Sequence, residues 1–418
     1  MGLLAPEVTS HSVAPIILRT RPLHRVLFEA TIFRAEDLAK LEDVEGIVVE
    51  PLARYAGGRV KPYQFYAAEI SYFSGKVRPV FRYKGLAYQE IAPTPQIYRE
   101  VILPRTGLAF IPMVVTPEGD TLQDTSFILD ELERRHPSPA IYPLTPVQRV
   151  VAYLVELYAD EIGVLPAMHY RWSFPESEAK ARADFAAANG DVARAGLFAD
   201  RMKGSIRALG VSPASAPAIE AHLADLLDRL CAHFRAQPFL LGSRPSLADC
   251  ALLGPFYAHL YLDAVPGRLL RKTAPEVCAW IEAMNAPEPG AGTFLADDAL
   301  AQTLRPVLAT MGRDGSQILI DALRAFEAWV DAQPGDPGEL PRALGFHRTR
   351  LRDVTLERYT SSYTPWMIQR PRDAYAALAP DQRLAVDAAL EGTGFEPLLR
   401  EPQRHRVTKR GFKLVLER

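Results

Sequence analysis

The sequence predicts an α/β domain over residues 66–140 and an all-α helical domain over residues 141–290. In the first range, strand-like and helix-like segments alternate in the order β-α-β-α-β-β-α, which is typical of an α/β layer sandwich. In the second range, apolar residues recur at helical spacing, as in VQRVVAYLVELYADEI and IEAHLADLLDRLCAHF. Proline and glycine in Ala286-Pro287-Glu288-Pro289-Gly290 close the helical domain.

The segments of the α/β domain follow one another closely. They are read as strand, helix, strand, helix, hairpin and helix over residues 67–72, 74–85, 87–93, 94–107, 110–124 and 125–137. Ser74 is a suitable N-cap for the first helix, and Gly85 is a suitable C-terminal stop.

Two further segments flank these domains. Residues 1–65 form an N-terminal extension of uncertain fold, with strand-like PIILRTR and HRVLFEATIF, a helical AEDLAKLEDV and a turn in YAGGRVKP. Residues 291–418 predict a C-terminal helical extension with a hairpin whose turn lies near Arg352-Asp353. We expect this extension to pack on the rest, because no low-complexity linker precedes it.

Composition and charge exclude several classes of partner. The 418 residues carry 48 basic and 50 acidic side chains, so no global positive field exists for nucleic acid or an anionic membrane. The three cysteines are scattered, which supports neither a disulfide framework nor a zinc site, and a reduced cytoplasmic setting is expected. Nowhere do 18 apolar residues follow one another, so the sequence predicts no membrane span.

Three segments of the α/β domain carry candidate chemistry. ISYFSGKVR, residues 70–78, places hydroxyl groups at a strand-to-helix junction, where free N–H groups and the helix dipole favour a thiolate. FIPM, residues 110–113, contains a proline that we expect to be cis, so that backbone groups turn toward a peptide ligand. LQDTS, residues 122–126, offers a carboxylate and hydroxyls to an amino-acid-like group.

These segments resemble the motifs of the glutathione transferase superfamily. Ile111-Pro112 matches its V-P motif, and Asp124-Thr125 matches its E-S motif with conservative changes. RPSLAD, residues 244–249, resembles the superfamily's capping box before a central helix, with Ser246 and Asp249 as partners. The resemblance implies a thioredoxin-like domain followed by an all-α domain, with atypical extensions at both ends.

The resemblance also implies an activity. Glutathione would be the co-substrate, Ile111, Pro112, Asp124 and Thr125 would bind it, and a hydroxyl at the strand–helix junction would activate its thiol. An ungapped alignment places the catalytic hydroxyl at Ser71, local physics favours Ser74, and Tyr72 is the third candidate.

The thiolate would attack a small apolar electrophile held in the helical domain. The acceptor pocket would include His169, Tyr170 and Trp172, although packing between helices also explains these residues. No metal is implied, and a homodimer is possible. Two other hypotheses stay open: a non-catalytic binding or scaffolding protein on the same fold, and a glutathione-dependent isomerase, lyase or dehalogenase.

Overall fold

The computed structural model describes residues 16–20, 26–30, 47–51, 61–189 and 192–417, and the chain divides into two compact units, Met1–Pro62 and Tyr63–Arg418. The first unit contains an antiparallel sheet in the order β2-β1-β3, formed by β1 (Ile16–Thr20), β2 (Val26–Ala30) and β3 (Ile47–Pro51). The first two strands confirm the prediction, and β3 was not predicted. The predicted helix at 35–44 and most of the predicted turn at 55–62 lie outside the described residues.

The second unit begins with the α/β layer. Its strands are β4 (Tyr63–Tyr66), β5 (Tyr88–Ile91), β6 (Met113–Val115) and β7 (Thr121–Gln123), in the order β5-β4-β6-β7. β4 is parallel to β5, and the other pairs are antiparallel. The helices are α1 (Tyr72–Tyr83), α2 (residues 95–106, with a π turn at Tyr98–Ile102) and α3 (Thr125–Arg135). The predicted order of elements is confirmed.

The first strand and the first helix of this layer begin and end at earlier residues than predicted. The predicted strand at 67–72 is wrong, because the strand is Tyr63–Tyr66 and residues 67–71 form the loop that follows it. Helix α1 begins at Tyr72, and its N-cap is Ser71 instead of Ser74. The strand residues Tyr63, Phe65 and Tyr66 are buried, whereas Glu69 in the loop that follows is exposed.

The end of α1 is as expected. Gly85 adopts a φ of 64°, a left-handed conformation that glycine allows without a steric penalty. The N–H of Leu86 donates to the carbonyl of Phe81 at 2.9 Å, and the N–H of Gly85 donates to that of Arg82 at 3.1 Å. Gly85 therefore stops the helix in the predicted way.

The all-α part includes one helix, Leu247–Pro255, in which every residue is buried. Its helices are α4 (Pro146–Glu161), α5 (Val164–Trp172), α6 (Pro175–Asn189), α7 (Val192–Ser205), α8 (Ala216–Ala236), α9 (Leu247–Pro255), α10 (Ala264–Thr273) and α11 (Pro275–Asn285). A π turn, Phe256–Tyr261, continues α9. The predicted capping box is confirmed, since Ser246 and Asp249 exchange both side-chain-to-backbone hydrogen bonds.

Two glycines let the α/β layer and the helical part approach closely. A Cβ atom added to Gly75 in α1 would lie 3.7 Å from the Cα of Gly254 in α9. A Cβ atom added to Gly254 would lie 3.0 Å from the carbonyl oxygen of Tyr72. Gly75 is buried against α9 and serves helix packing.

The C-terminal segment contains the predicted hairpin, β8 (Ala343–Leu351) and β9 (Val354–Ser361), with its turn at Arg352. Its helices are α12 (Leu304–Asp331), α13 (Tyr363–Ala376), α14 (Pro380–Leu390) and α15 (Glu396–Arg400). A last hairpin, β10 (Val407–Arg410) and β11 (Lys413–Leu416), was not predicted. Helix α13 packs against α4, and α12 packs against α8 and β8.

Candidate functional site

The three predicted site segments meet at one edge of the four-stranded sheet. Tyr66 at the end of β4 pairs with Met113 at the start of β6, and Met113 pairs with Gln123 at the end of β7. The residues next to this row are the loop 67–71, Pro112 and Asp124. Three segments that are separate in the sequence therefore line a single edge.

The three candidate hydroxyls have different environments. Ser71 is half-buried, and its Oγ accepts a hydrogen bond from the N–H of Ser74 at 3.3 Å. The side chain of Ser74 is fully buried, and its Oγ accepts from the N–H of Ala68 at 3.3 Å. The Tyr72 hydroxyl donates to the carbonyl of Ala159 in the helical part. Ser71 is thus the most accessible of the three.

The loop that carries Ser71 is held by side chains from three other elements. Arg171 in α5 donates from Nη1 to the carbonyl of Ile70 at 3.1 Å, and Arg78 donates from Nη2 to that of Ala68 at 3.2 Å. The Tyr257 hydroxyl donates to the carboxylate of Glu69. Arg171 was not predicted as a site residue, because no local pattern in MHYRW connects it to a loop of the preceding domain.

The second segment is the loop before β6. The Ile111–Pro112 peptide bond is cis, as expected, and Pro112 is buried. Ile111 is half-buried, and Phe110 beside it is 40% exposed. The guanidinium of Arg342, from the C-terminal segment, lies 4.3 Å from the centre of the Phe110 ring.

The third segment is the start of α3. Asp124 has a φ of 82°, an unusual conformation for a residue other than glycine, and it caps the helix by accepting from the N–H of Phe127 at 3.2 Å. Unusual backbone conformations of this kind concentrate at functional sites. The Asp124 carboxylate also lies 3.1 Å from the Nζ of Lys409 in β10. Thr125 beside it is buried.

Comparisons with known proteins agree with this geometry. A family model of the glutathione S-transferase N-terminal domain matches residues 65–140, and a model of the glutathione S-transferase C-terminal domain matches residues 212–288. The chain belongs to the glutathione S-transferase superfamily. The predicted superfamily and the predicted fold class, a thioredoxin-like domain followed by a helical domain, are therefore confirmed.

Solved glutathione S-transferase structures resemble the chain at low identity. One from Rhodospirillum rubrum F11 is 16% identical and has a TM-score of 0.38, with 59% of this chain and 91% of that chain covered. One from Methylobacterium radiotolerans JCM 2831, in complex with glutathione sulfonate, is 19% identical and has a TM-score of 0.36, with 56% and 98% covered. The beta-etherase LigF from Sphingobium sp. strain SYK-6 is 15% identical and has a TM-score of 0.39, with 54% and 95% covered. The curated proteins include no match.

A buried charge cluster lies behind the start of α3 and joins both transferase domains to the C-terminal segment. The Lys76 ammonium in α1 donates to Ser126 at 3.0 Å, to Glu156 at 2.8 Å and to Asp160 at 2.6 Å. Arg370 in α13 donates to the other oxygen of Glu156 at 3.0 Å. Because each buried charge has an opposite partner, the cluster is tolerated in a low-dielectric interior.

The two carboxylates of this cluster titrate in opposite directions. Burial raises the pKa of Asp160 to about 7, and its Oδ1 has no hydrogen-bond partner. Burial also opposes ionisation of Glu156, but the charges of Arg370 and Lys76 outweigh it and lower the Glu156 pKa to about 2. The unequal partners of the two carboxylates explain the difference, since only Glu156 faces two cations.

The residues predicted to line an acceptor pocket are buried among the helices of the transferase C-terminal domain. His169 lies 2.8 Å from Glu220 through Nε2 and 3.0 Å from Ser173 through Nδ1. Tyr170 stacks on Phe174 with ring centres 5.2 Å apart. The exposed fractions are 3% for His169, 7% for Tyr170 and 2% for Trp172, so all three contribute chiefly to packing.

The cysteines do not form a second reactive site. The three cysteine thiols are free and buried, and burial raises the pKa of each, to about 11 for Cys231. Such thiols are poor nucleophiles. Within the described ranges, no cluster of three or more His, Cys, Asp or Glu residues could hold a metal ion, and no helix is long and apolar enough to cross a membrane.

Proposed function

We propose that the protein is a glutathione transferase of the serine type, in which the Ser71 hydroxyl activates the thiol of glutathione. The observation that carries this proposal is the half-exposed Ser71 at the N-cap of α1, on the sheet edge that also bears Ile111–Pro112 and Asp124. The N-terminal end of a helix carries a partial positive charge, which stabilises a thiolate placed there.

The reaction follows from this placement. Glutathione lies along the sheet edge, and the backbone of Ile111 pairs with its cysteinyl part. Asp124 and Thr125 face its γ-glutamyl end. The Ser71 Oγ accepts from the N–H of Ser74, so its own O–H is free to donate a hydrogen bond to the glutathione sulfur, which becomes a thiolate as the thiol proton passes to solvent. The thiolate then forms a carbon–sulfur bond with a small apolar electrophile and displaces the leaving group.

Ser71 is preferred over the other two hydroxyls on accessibility. Ser74 has no exposed surface, and its Oγ serves the backbone of the loop. The Tyr72 hydroxyl is buried and already donates its proton to Ala159, and burial raises its pKa well above the ordinary value. Neither side chain reaches a ligand at the sheet edge without rearrangement of the helix start.

A thiol titration tests the proposal. Glutathione is titrated into the full-length protein, binding is measured by calorimetry, and the ultraviolet absorbance of the bound thiolate is followed against pH. We expect binding and a bound-thiol pKa at least one unit below the roughly 8.5 of a free thiol. S-methylglutathione, which cannot form a thiolate, is the control. A bound thiol with an unshifted pKa contradicts the enzyme proposal.

A second candidate is a binding or scaffolding protein that does not use glutathione. The observation that favours it is the position of the C-terminal segment, which brings Lys409 against Asp124 and Arg342 against Phe110. Absence of any calorimetric signal and of any thermal shift at millimolar glutathione would favour this second candidate. Because the fold alone does not determine function, this one measurement separates the two candidates.

A further inference from the structure

The carboxylate of Asp124 is already occupied by groups of the same chain. Its Oδ1 accepts from the N–H of Phe127 at 3.2 Å and lies 3.1 Å from the Lys409 ammonium. The exposed fractions of the two side chains are only 13% for Asp124 and 17% for Lys409. Within the described parts of the chain, no other carboxylate lies within ion-pair distance of Lys409, so the two residues form a dedicated and largely buried pair.

Aromatic side chains complete the surroundings of this ammonium. The Nζ of Lys409 lies 4.0 Å from the centre of the Trp366 ring and 5.8 Å from that of Tyr363. A cation over an aromatic face and against a carboxylate has the surroundings that a ligand ammonium requires. Lys409 therefore fills a cation-binding position that belongs to the proposed site.

The backbone that delivers Lys409 is fixed in place. Val407, two residues earlier in β10, donates its N–H to the Gln369 side chain at 2.8 Å and accepts from it at 2.9 Å. Lys409 pairs with Leu414 in the antiparallel hairpin β10-β11. Strand β10 is therefore fixed both by α13 and by its partner strand β11. This fixed backbone holds Lys409 beside Asp124.

We propose that Lys409 is a specificity-determining residue, which takes the place of a ligand's amino group at Asp124. This inference rests on the proposed function, because it concerns the γ-glutamyl end of the same site. A ligand ammonium arriving at Asp124 meets a neutralised carboxylate and a second positive charge. The preferred thiol is therefore a peptide that carries a carboxylate at this end and no free amino group beside it.

The test compares two ligands on three proteins. The ligands are glutathione and glutaryl-cysteinylglycine, which lacks only the amino group. The full-length proteins are the parent, Lys409→Met, and Lys413→Met as a matched control. Lys413 lies in the same hairpin and forms an exposed ion pair with Glu339 at 2.6 Å. This ion pair includes no residue of the candidate site. Dissociation constants are measured by calorimetry.

We expect the parent and Lys413→Met to bind glutaryl-cysteinylglycine at least as tightly as glutathione, because Asp124 is already neutralised by Lys409 and the ligand's amino group meets a second positive charge. In Lys409→Met, Asp124 is free to bind an ammonium, so glutathione should bind about ten-fold or more tightly than the analogue. Lys409→Gln, which removes the charge with a polar side chain, should give the same direction if Lys409→Met does not fold.

The outcomes separate this inference from the function on which it rests. If the parent prefers glutathione about ten-fold and the Lys409 variants keep the same preference, the inference is wrong and the proposed function stands. If the variants bind both ligands equally, the inference is also wrong. If none of the proteins binds either thiol, the proposed function fails and the inference fails with it. Binding of glutathione by the Lys409 variants alone supports the inference.

Discussion

Arg171 donates from its guanidinium to the carbonyl oxygen of Ile70 at 3.1 Å, and this hydrogen bond ties the helical domain to the loop that carries Ser71. Arg171 is 3% exposed, and its Nε donates to Asp263 at 2.7 Å. The guanidinium is therefore oriented by a buried carboxylate from another helix. The backbone on which Ser71 is placed depends on a pair of residues outside the α/β layer.

Arg171→Lys keeps the positive charge but loses the planar fork that reaches Ile70 and Asp263 together. We expect a loss of about 1–3 kcal/mol of stability, since the buried carbonyl of Ala258 and the partly buried carbonyl of Ile70 lose their donor. The thiol pKa of bound glutathione should rise and kcat should fall, while KM changes little. Arg268→Lys, at an exposed ion pair with Glu176, is the control and should change none of these. An unaltered thiol pKa in a folded Arg171→Lys protein would show that Arg171 only stabilises the fold.

Ser71→Ala and Ser74→Ala should differ in what they change. Ser71→Ala removes both a donor to the thiolate and the N-cap of α1, so the bound thiol pKa should rise by roughly one to two units and the unfolding free energy should fall by about 0.5–2 kcal/mol. Ser74→Ala leaves the partly buried N–H of Ala68 without its acceptor, so it should cost about 1–3 kcal/mol in unfolding free energy. The measurements are the thiolate titration and chemical denaturation. The opposite pattern would assign the catalytic hydroxyl to Ser74.

Local signals in the sequence predicted most of the fold and the three segments that form the candidate site. The order of strands and helices, the glycine stop at Gly85, the capping box and the proline before β6 all depend on residues close together in the chain. The strand boundary at 67–72 was wrong because AAEISY satisfies the alternation rule as well as the true strand, YQFY, does.

Contacts between distant segments could not be predicted in this way. Arg171 with Ile70, and Lys409 with Asp124, join residues from different domains, and neither pair has a spacing that a motif could encode. Tyr72 is a candidate donor by its position in the sequence, but in the structure its hydroxyl donates to the carbonyl of Ala159. The local motifs therefore define a candidate site, while the tertiary structure determines which hydroxyl is accessible and which carboxylate is already paired.

Asp249 offers a test of the helical core. Its buried carboxylate accepts from Leu240 N–H at 2.9 Å, Ser246 N–H at 3.0 Å and Trp280 Nε1 at 3.1 Å. Loss of a capping residue alone costs about 0.5–2 kcal/mol. We expect Asp249→Ala to cost more, about 2–4 kcal/mol, because several buried donors lose their acceptor. Denaturation midpoints measure the loss, and an unchanged midpoint would show that these bonds contribute little.

The raised pKa of Asp160 predicts how the stability of the fold depends on pH. Burial raises its pKa to about 7 in the folded protein, against about 3.9 in an unfolded chain. The folded state therefore binds this proton more tightly than the unfolded chain does. The stability that the protonated Asp160 contributes is fully present below about pH 4. That contribution is lost as the pH rises toward 7. Glu156 has the opposite shift, and its contribution changes only at acid pH, as the pH falls through its folded pKa of about 2.

Asp160→Asn isolates this effect, because the amide resembles the protonated acid and does not titrate. Buried histidines such as His259, whose pKa burial lowers, also change the parent's stability near neutral pH, so the quantity to measure is the difference between variant and parent. We expect Asp160→Asn to gain about 1–3 kcal/mol relative to the parent between pH 5 and pH 8. Denaturation at several pH values measures it, with Asp228→Asn as the exposed control. If the difference is independent of pH, Asp160 is ionised throughout this range, and Lys76 compensates its charge more fully than its burial opposes it.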